Sequence, residues 1–274
     1  MEGLTMFVSD RTAIPCTGKA VPGPAHPTVV CNIDARVTAP GNEFRLRANF
    51  SAHGNRIALF GPSGSGKSLT LLALAGLLKP GSGRIKVRGR TFFDSTSGMH
   101  IPARKRRIGM LFQDYALFPH LTVRDNVAFG LKPVLGPLKA AHRQRVDELL
   151  ELCGLATLAG QRPSQISGGQ RQRTALARAL ATEPDLLLLD EPFTALDQPL
   201  RQRMRAELSG ILERFDLPMV MVSHDLEDVD HFAQTLVAFG HGRVLSVINY
   251  EARRKLENPR QILDPLFLAA QTCK

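Results

Sequence analysis

Long apolar runs are missing from this chain. The longest nearly apolar stretch, Leu69 to Leu78, is about half of the ~20 residues that a bilayer-spanning helix requires, so no membrane crossing is predicted. The N-terminus lacks a continuous apolar block followed by a small-residue cleavage site, which argues against a secretory signal. Cysteine is scarce: Cys16, Cys31, Cys153 and Cys273 are scattered with no C-x-x-C pair. That spacing argues against a zinc site or redox couple and fits a reducing compartment. Also missing are aromatic residues interleaved with basic ones, as a base-stacking platform would require. The absence matters because 35 basic against 25 acidic residues leave a net charge of +10, which otherwise invites a nucleic-acid or anionic-membrane partner. The basic clusters, Arg104-Lys105-Arg106-Arg107 ahead of a predicted strand and Arg171 and Arg173 on a predicted helix, read as solvated or lipid-facing surface.

What is present is ordinary for a globular protein: 43% hydrophobic and 22% charged residues over 274 positions, enough for one large α/β core. Residues 1–28 carry Pro15, Pro22, Pro24 and Pro27 without periodicity and read as a flexible tail, with Met6 a possible true start. Alternation over Val29 to Val37 and at Phe44, Leu46, Ala48 and Phe50 predicts antiparallel strands of an outer sheet. Arg56 to Phe60 predicts a short strand, Leu69 to Leu78 a helix ending near Pro80-Gly81, and Arg84 to Val87 and Thr91 to Phe93 further strands. From Gln113 to Ser167 the character turns helical, with Val146, Leu149, Leu150 and Cys153 forming one apolar face at i, i+3, i+4 and i+7. Then follow a helix over Gly168 to Ala181, a buried parallel strand over Asp185 to Leu189, and an amphipathic helix over Leu200 to Phe215. A strand over Pro218 to Ser223, a helix from Leu226, and strands near Thr235 to Phe239 and Arg243 to Val247 close the series.

Chemistry concentrates where these strands end. Gly61-Pro62-Ser63-Gly64-Ser65-Gly66-Lys67-Ser68 matches the phosphate-loop pattern G-x-x-x-x-G-K-[ST] between a predicted strand and a predicted helix. Its glycines let backbone N–H groups converge on phosphate oxygens in front of a helix N-terminus that Leu69 extends. Lys67 supplies a cation and Ser68 a hydroxyl suited to Mg²⁺. The run Leu186 to Leu189 delivers Asp190 and Glu191, two adjacent carboxylates of which the first suits Mg²⁺. His224 follows the apolar strand Met219 to Val222, and Gln113 precedes the helical stretch.

Ser167-Gly168-Gly169-Gln170, set between the phosphate loop and the carboxylates, completes an order of five elements that resembles the ATP-binding cassette (ABC) ATPase family from about Val29 to Gly242. The resemblance implies a P-loop NTPase fold: a RecA-like α/β core with an antiparallel β subdomain and an inserted α-helical subdomain at about 114–166. The cassette would span 29–250, with 251–274 a short extension lacking a regulatory β-domain. It implies ATP bound by Gly61 to Leu69, Mg²⁺ held by Ser68, Gln113 and Asp190, and catalytic roles for Glu191, His224 and Gln113. It further implies a head-to-tail homodimer in which Ser167, Gly168, Gly169 and Gln170 meet the partner's nucleotide and Asp197, in Ala195-Leu196-Asp197, signals between sites.

Three departures stand out: Ile166 where leucine is usual, Thr194 where serine is usual, and Val37-Thr38-Ala39-Pro40 where an aromatic commonly stacks on adenine. The run Gln113 to Val123 resembles importer ATPases of the inorganic-ion, molybdate, sulfate and polyamine branch, and Gly89 through Pro102 with Arg106 to Gly109 looks most like those for molybdate. The implied partners are polytopic membrane permease subunits and, indirectly, a solute-binding protein, with this chain peripheral on the cytoplasmic face and no nucleic acid expected. The alternatives are a soluble ABC ATPase acting on nucleic acid or another non-membrane partner, and a regulator that binds nucleotide without turnover. Intact Lys67, Asp190, Glu191 and His224 argue against the last.

Overall fold

The computed structural model describes residues 26–39, 42–133, 136–194 and 196–272. Most of the predicted tail, with Met6, Cys16, and also Pro40, Ala195 and Cys273, lies outside them. In chain order the elements are β1 (Val29–Ala39), β2 (Asn42–Ala52), β3 (Arg56–Phe60), α1 (Lys67–Ala75), β4 (Ser82–Val87), β5 (Arg90–Asp94) and β6 (Met99–His100). There follow β7 (Ile108–Leu111), α2 (Val123–Ala128), α3 (Ala140–Leu152), α4 (Gly168–Ala181), β8 (Leu186–Asp190), α5 (Gln198–Arg214) and β9 (Met219–Ser223). The chain continues through α6 (Leu226–Phe232), β10 (Thr235–Gly240), β11 (Arg243–Asn249), α7 (Tyr250–Arg254) and α8 (Pro259–Thr272).

The described strands form one sheet in the order β6-β5-β4-β1-β2-β11-β10-β3-β9-β8-β7. Its half from β10 to β7 is parallel. The half from β6 to β2 is antiparallel. The parallel strands β8 and β9 are buried at every position, which is why they read as unbroken apolar runs rather than alternating ones. β1 and β2 alternate instead, placing Cys31, Ile33, Ala35, Leu46, Ala48 and Phe50 in the core with Leu71, Leu74 and Phe239. On the other face α6 and α8 cover Ala58, Phe60 and Leu236. A third cluster joins Val146, Leu149, Leu150 and Cys153 of the predicted apolar face to α4, β8 and α5.

Two expectations need correction. The helix behind the phosphate loop starts at Lys67 and ends at Ala75, well short of Pro80-Gly81. Gly76 adopts φ 82° and its N–H bonds back to Ala73 O and Leu72 O, a left-handed stop that glycine makes at little cost. Leu77 and Leu78, which prolong the apolar pattern, lie beyond it. The basic run ahead of β7 is not all surface either. Arg106 is fully buried and donates to Ala73 O and Leu74 O at 2.7 Å each and to Ile101 O at 2.7 Å. A cation thus satisfies the terminal carbonyls of α1 and complements its dipole, and it lies over the Phe92 ring at 5.3 Å. Burial holds the Arg106 guanidinium down to about 10.

Candidate active site

Three parallel strands aim their C-terminal ends at one region: β3 enters the phosphate loop, β8 ends in Asp190 and β9 in Ser223. β3 pairs with β9 and β9 with β8, so the sequence-distant motifs become neighbours. Sites at the carboxyl ends of open α/β sheets follow from this geometry.

The loop itself is shaped by left-handed glycines. Gly61 has φ 147° and Gly66 φ 100°. A Cβ at Gly61 would collide with Phe239 O, and one at Gly66 would fall 2.7 Å from Leu46 Cδ1. The side chain of Lys67, only 4% exposed, curls back so that Nζ donates to Gly61 O at 2.8 Å and Pro62 O at 2.7 Å. Burial lowers its pKa, while Glu191 and Asp190 oppose that shift.

Asp190 meets the loop directly, with Ser68 Oγ donating to Asp190 Oδ1 at 2.9 Å. Burial raises the Asp190 pKa; the Ser68 hydrogen bond counters this, the Glu191 charge adds to it, and Lys67 opposes it. A buried carboxylate beside a hydroxyl is a hard oxygen donor set of the kind Mg²⁺ prefers, so the residues fit the cation implied by the motif. A raised native pKa also has a stability consequence. The folded protein binds the Asp190 proton more tightly than the unfolded chain, whose value is near 3.8, so stability falls as pH rises from there through the folded value. Above that folded value the cost of ionisation is fully present. Asp190→Asn, which keeps an acceptor for Ser68, is therefore expected to raise the Tm of the protein free of nucleotide and Mg²⁺. A melting point at pH 7.5 below that of the parent would overturn this account.

Glu191 is held in a strained backbone position, φ 46°. A left-handed non-glycine residue costs on the order of 1–3 kcal/mol and persists where its surroundings fix it. Here its N–H donates to Val222 O at 3.0 Å, and Thr194 Oγ1 donates to Glu191 Oε2 at 3.1 Å. His224 Nδ1 lies 3.1 Å from Glu191 Oε1. The Glu191 side chain is 13% exposed and that of His224 45%, so the carboxylate is seated while the imidazole faces outward. Thr194, which stands where serine is usual, supplies the same hydroxyl.

Gln113 follows β7, whose Leu111 is in register with Leu189 of β8. That places Gln113 at the same sheet end as Asp190. It is exposed, and its side chain makes no hydrogen bond to the other site residues among the described residues. The Ser167 set stands apart. Ser167 caps α4 by accepting from Gln170 N at 3.3 Å, while Ser167 N donates to Gln170 Oε1 at 2.8 Å, a reciprocal capping box. Among the described residues no hydrogen bond joins it to the chain's own phosphate loop. Gly169 packs on Leu200, where a Cβ would approach to 3.0 Å, and Asp197 caps that same helix through Leu200 N at 2.9 Å.

Some functional neighbours escaped the sequence reading. Phe44 of β2 reaches the loop, its ring atoms 3.4 and 3.5 Å from a Cβ placed on Gly66; no motif announces it. Around His224, Arg205 and Arg201 of α5 clamp the turn. Arg201 pairs with Asp225 at 2.5 Å, and Arg205 with Asp228 at 2.5 Å and Glu227 at 2.8 Å. Ser223 Oγ donates to Asp228 Oδ2 at 3.1 Å and accepts from Asp225 N at 3.0 Å. Of the two chain neighbours of His224, Asp225 is thereby held to α5 directly and Ser223 through Asp228.

Comparison with known proteins gives the same picture. The ABC transporter family profile matches residues 48–194. The sulfate/thiosulfate import ATP-binding protein CysA of Synechocystis is 49% identical over 71% of this chain and 53% of its own length. The molybdenum import ATP-binding protein ModC of Paramagnetospirillum magneticum is 43% identical over 74% of this chain and 55% of its own. The chain thus spans about half the length of these curated relatives. A dimeric ATP-binding cassette solved in a post-hydrolysis state with ADP and Pi superposes at a TM-score of 0.67, with 29% identity, over 81% of this chain and 98% of its own. With the phosphate loop, the paired carboxylates and His224 gathered at one sheet end, the chain belongs to the ABC transporter family as one of its nucleotide-binding cassettes.

Proposed function

We propose that this chain hydrolyses ATP and couples the energy to import of an inorganic oxyanion. The observation that carries the reading is the convergence of two pairs, Ser68 with Asp190 and Glu191 with His224, in front of the phosphate loop. In this reading the loop N–H groups and Lys67 bind the β- and γ-phosphates. Ser68 and Asp190, with Gln113 beside them, would hold Mg²⁺, which when bound would neutralise charge on the phosphate oxygens. Glu191 takes a proton from the attacking water and orients it, and His224 fixes the Glu191 carboxylate and faces the γ-phosphate. Phosphoryl transfer depends mostly on such positioning and charge stabilisation.

Ser167, Gly168, Gly169 and Gln170 complete the site of a second copy, their helix N-terminus meeting its γ-phosphate, and Asp197 reports between the two. The dimeric state of the solved cassette supports this assembly. Ser167→Arg is expected to leave nucleotide binding to one subunit near the parental value while abolishing Mg²⁺-ATP-dependent dimerisation of a slow-hydrolysing parent, read by size-exclusion chromatography. Unchanged dimerisation would count against the composite site.

The cargo reading rests on relatives named for sulfate/thiosulfate and molybdenum import. It places the chain peripherally on the cytoplasmic side of a membrane, docked to permease subunits served by a solute-binding protein. No described helix is long and apolar enough to cross a membrane. Within the oxyanion class, the resemblance over Gly89 through Pro102 and Arg106 to Gly109 favours molybdate. The deciding experiment is affinity purification from detergent-solubilised membranes, reconstitution of whatever polytopic subunit co-purifies, and ATP-driven uptake of labelled molybdate and sulfate. Uptake of molybdate in preference to sulfate supports the finer reading; recovery of nucleic acid or soluble partners alone overturns the importer.

A further inference from the structure

Arg178 lies on α4, about three turns from Ser167 at its start, and among the described residues it has no carboxylate partner within ion-pair distance. Its guanidinium is instead spent on two successive backbone carbonyls of the Gln113 loop: Nη1 donates to Ala116 O at 2.7 Å and Nη2 to Tyr115 O at 2.8 Å. Tyr115 and Ala116 are consecutive non-glycine residues in the left-handed region, φ 63° and 43°. Each such residue costs on the order of 1–3 kcal/mol. Two in succession turn their carbonyls to one side, where a planar fork of donors can take both.

The rest of the loop leans on the same anchor. Tyr115 N donates to Phe112 O at 2.9 Å and Ala116 N to Asp114 Oδ1 at 3.2 Å, which closes a turn around Gln113 and Asp114. The Arg178 guanidinium also sits over the Phe118 ring at 5.6 Å. Phe118 stacks on Phe129 with centroids 4.1 Å apart, and Phe129 is 48% exposed. One side chain therefore joins the helix that begins with Ser167 to the Gln113 turn and to an exposed aromatic face.

We propose that Arg178 is a positioning residue: it holds the strained Tyr115-Ala116 turn against α4, so that Gln113 stays at the nucleotide site and moves with the Ser167 helix. The proposal rests on the reading of Gln113 given above, and the experiment separates the two. Arg178→Met, Arg178→Lys, Arg178→Met/Ala116→Gly and Gln113→Ala are compared with the parent full-length chain. The readouts are kcat and KM for Mg²⁺-ATP, affinity for a fluorescent ATP analogue, and hydrogen exchange of peptides spanning residues 112–121.

Arg178→Met is expected to lower kcat on the order of 10-fold or more, with KM and analogue affinity within about twofold of the parent and with faster exchange confined to the 112–121 region. Arg178→Lys keeps the charge but cannot bridge both carbonyls, and is expected to show the same split, which guards against a folding failure of the Met variant. Ala116→Gly removes the cost of the left-handed position and is expected to restore most of the lost kcat, a rescue that a merely structural role for Arg178 would not predict. Parental exchange in Arg178→Met overturns the clamp, and raised exchange with parental kcat overturns its link to turnover. A parental rate in Gln113→Ala, with the clamp results as expected, counts against Gln113 alone.

Discussion

Glu191→Gln is expected to cut ATP turnover by on the order of 10²-fold or more, the range a positioned general base contributes, while leaving ATP binding intact. The substitution is nearly isosteric. A glutamine oxygen can still accept from Thr194 Oγ1, which now stands 3.1 Å from Oε2, and the backbone that fixes φ at 46° is unchanged. What is removed is the charge proposed to take up the water proton. The same change removes a negative charge next to Asp190, whose raised pKa owes part of its shift to Glu191, so binding of an anionic nucleotide is not expected to weaken. The variant is therefore expected to accumulate as an ATP-bound dimer. Phosphate release and size-exclusion chromatography with Mg²⁺-ATP check both halves. A variant hydrolysing at the parental rate removes Glu191 from the role, and loss of nucleotide affinity would mean that Glu191 holds the loop in shape rather than activating water.

Much of this site was legible because its parts are local. The phosphate loop announces itself by glycines whose backbone must turn left-handed, and β8 by four consecutive leucines buried on both sides. The order of strand, loop and helix is a property of neighbouring residues. What stayed illegible is long-range. Arg106 sits in a basic run and looks solvated, yet its partners are carbonyls of Ala73 and Leu74, which no pattern around residue 106 encodes. The end of α1 was misread because Leu77 and Leu78 continue the apolar pattern, whereas Gly76 stops the helix by its φ. Tyr115 and Ala116 carry no glycine to betray their left-handed backbone. Phe44 was legible as a strand residue but not as a neighbour of Gly66, since that contact depends on how β2 passes the loop.

The Arg205 cluster illustrates the same limit and yields the largest stability effect. Arg205 is 7% exposed and Asp228 5%, and burial already pushes the Asp228 carboxyl upward against the pull of Arg205. Arg205→Met would leave that carboxylate buried beside Asp225 without its cation, a loss that typically costs 3–5 kcal/mol, or roughly 10 °C in Tm. The deficit has a pH signature. With its partner gone, Asp228 holds its proton to still higher pH in the folded state, so acidification toward that value neutralises the orphan charge and the gap to the parent narrows. Melts at a series of pH values below 7.5 check this; a gap constant across the series would assign the loss to packing rather than charge. Asp228→Asn in the Arg205→Met background is expected to recover part of the stability at pH 7.5. It should not recover turnover. Ser223 Oγ donates to Asp228 Oδ2 and Arg201 and Arg205 both hold Asp225, so the turn carrying His224 is aimed by the charged network. Neutralising both members relieves the buried charge but leaves His224 less well fixed against Glu191. Recovery of stability together with full kcat would show that the cluster supports the fold alone.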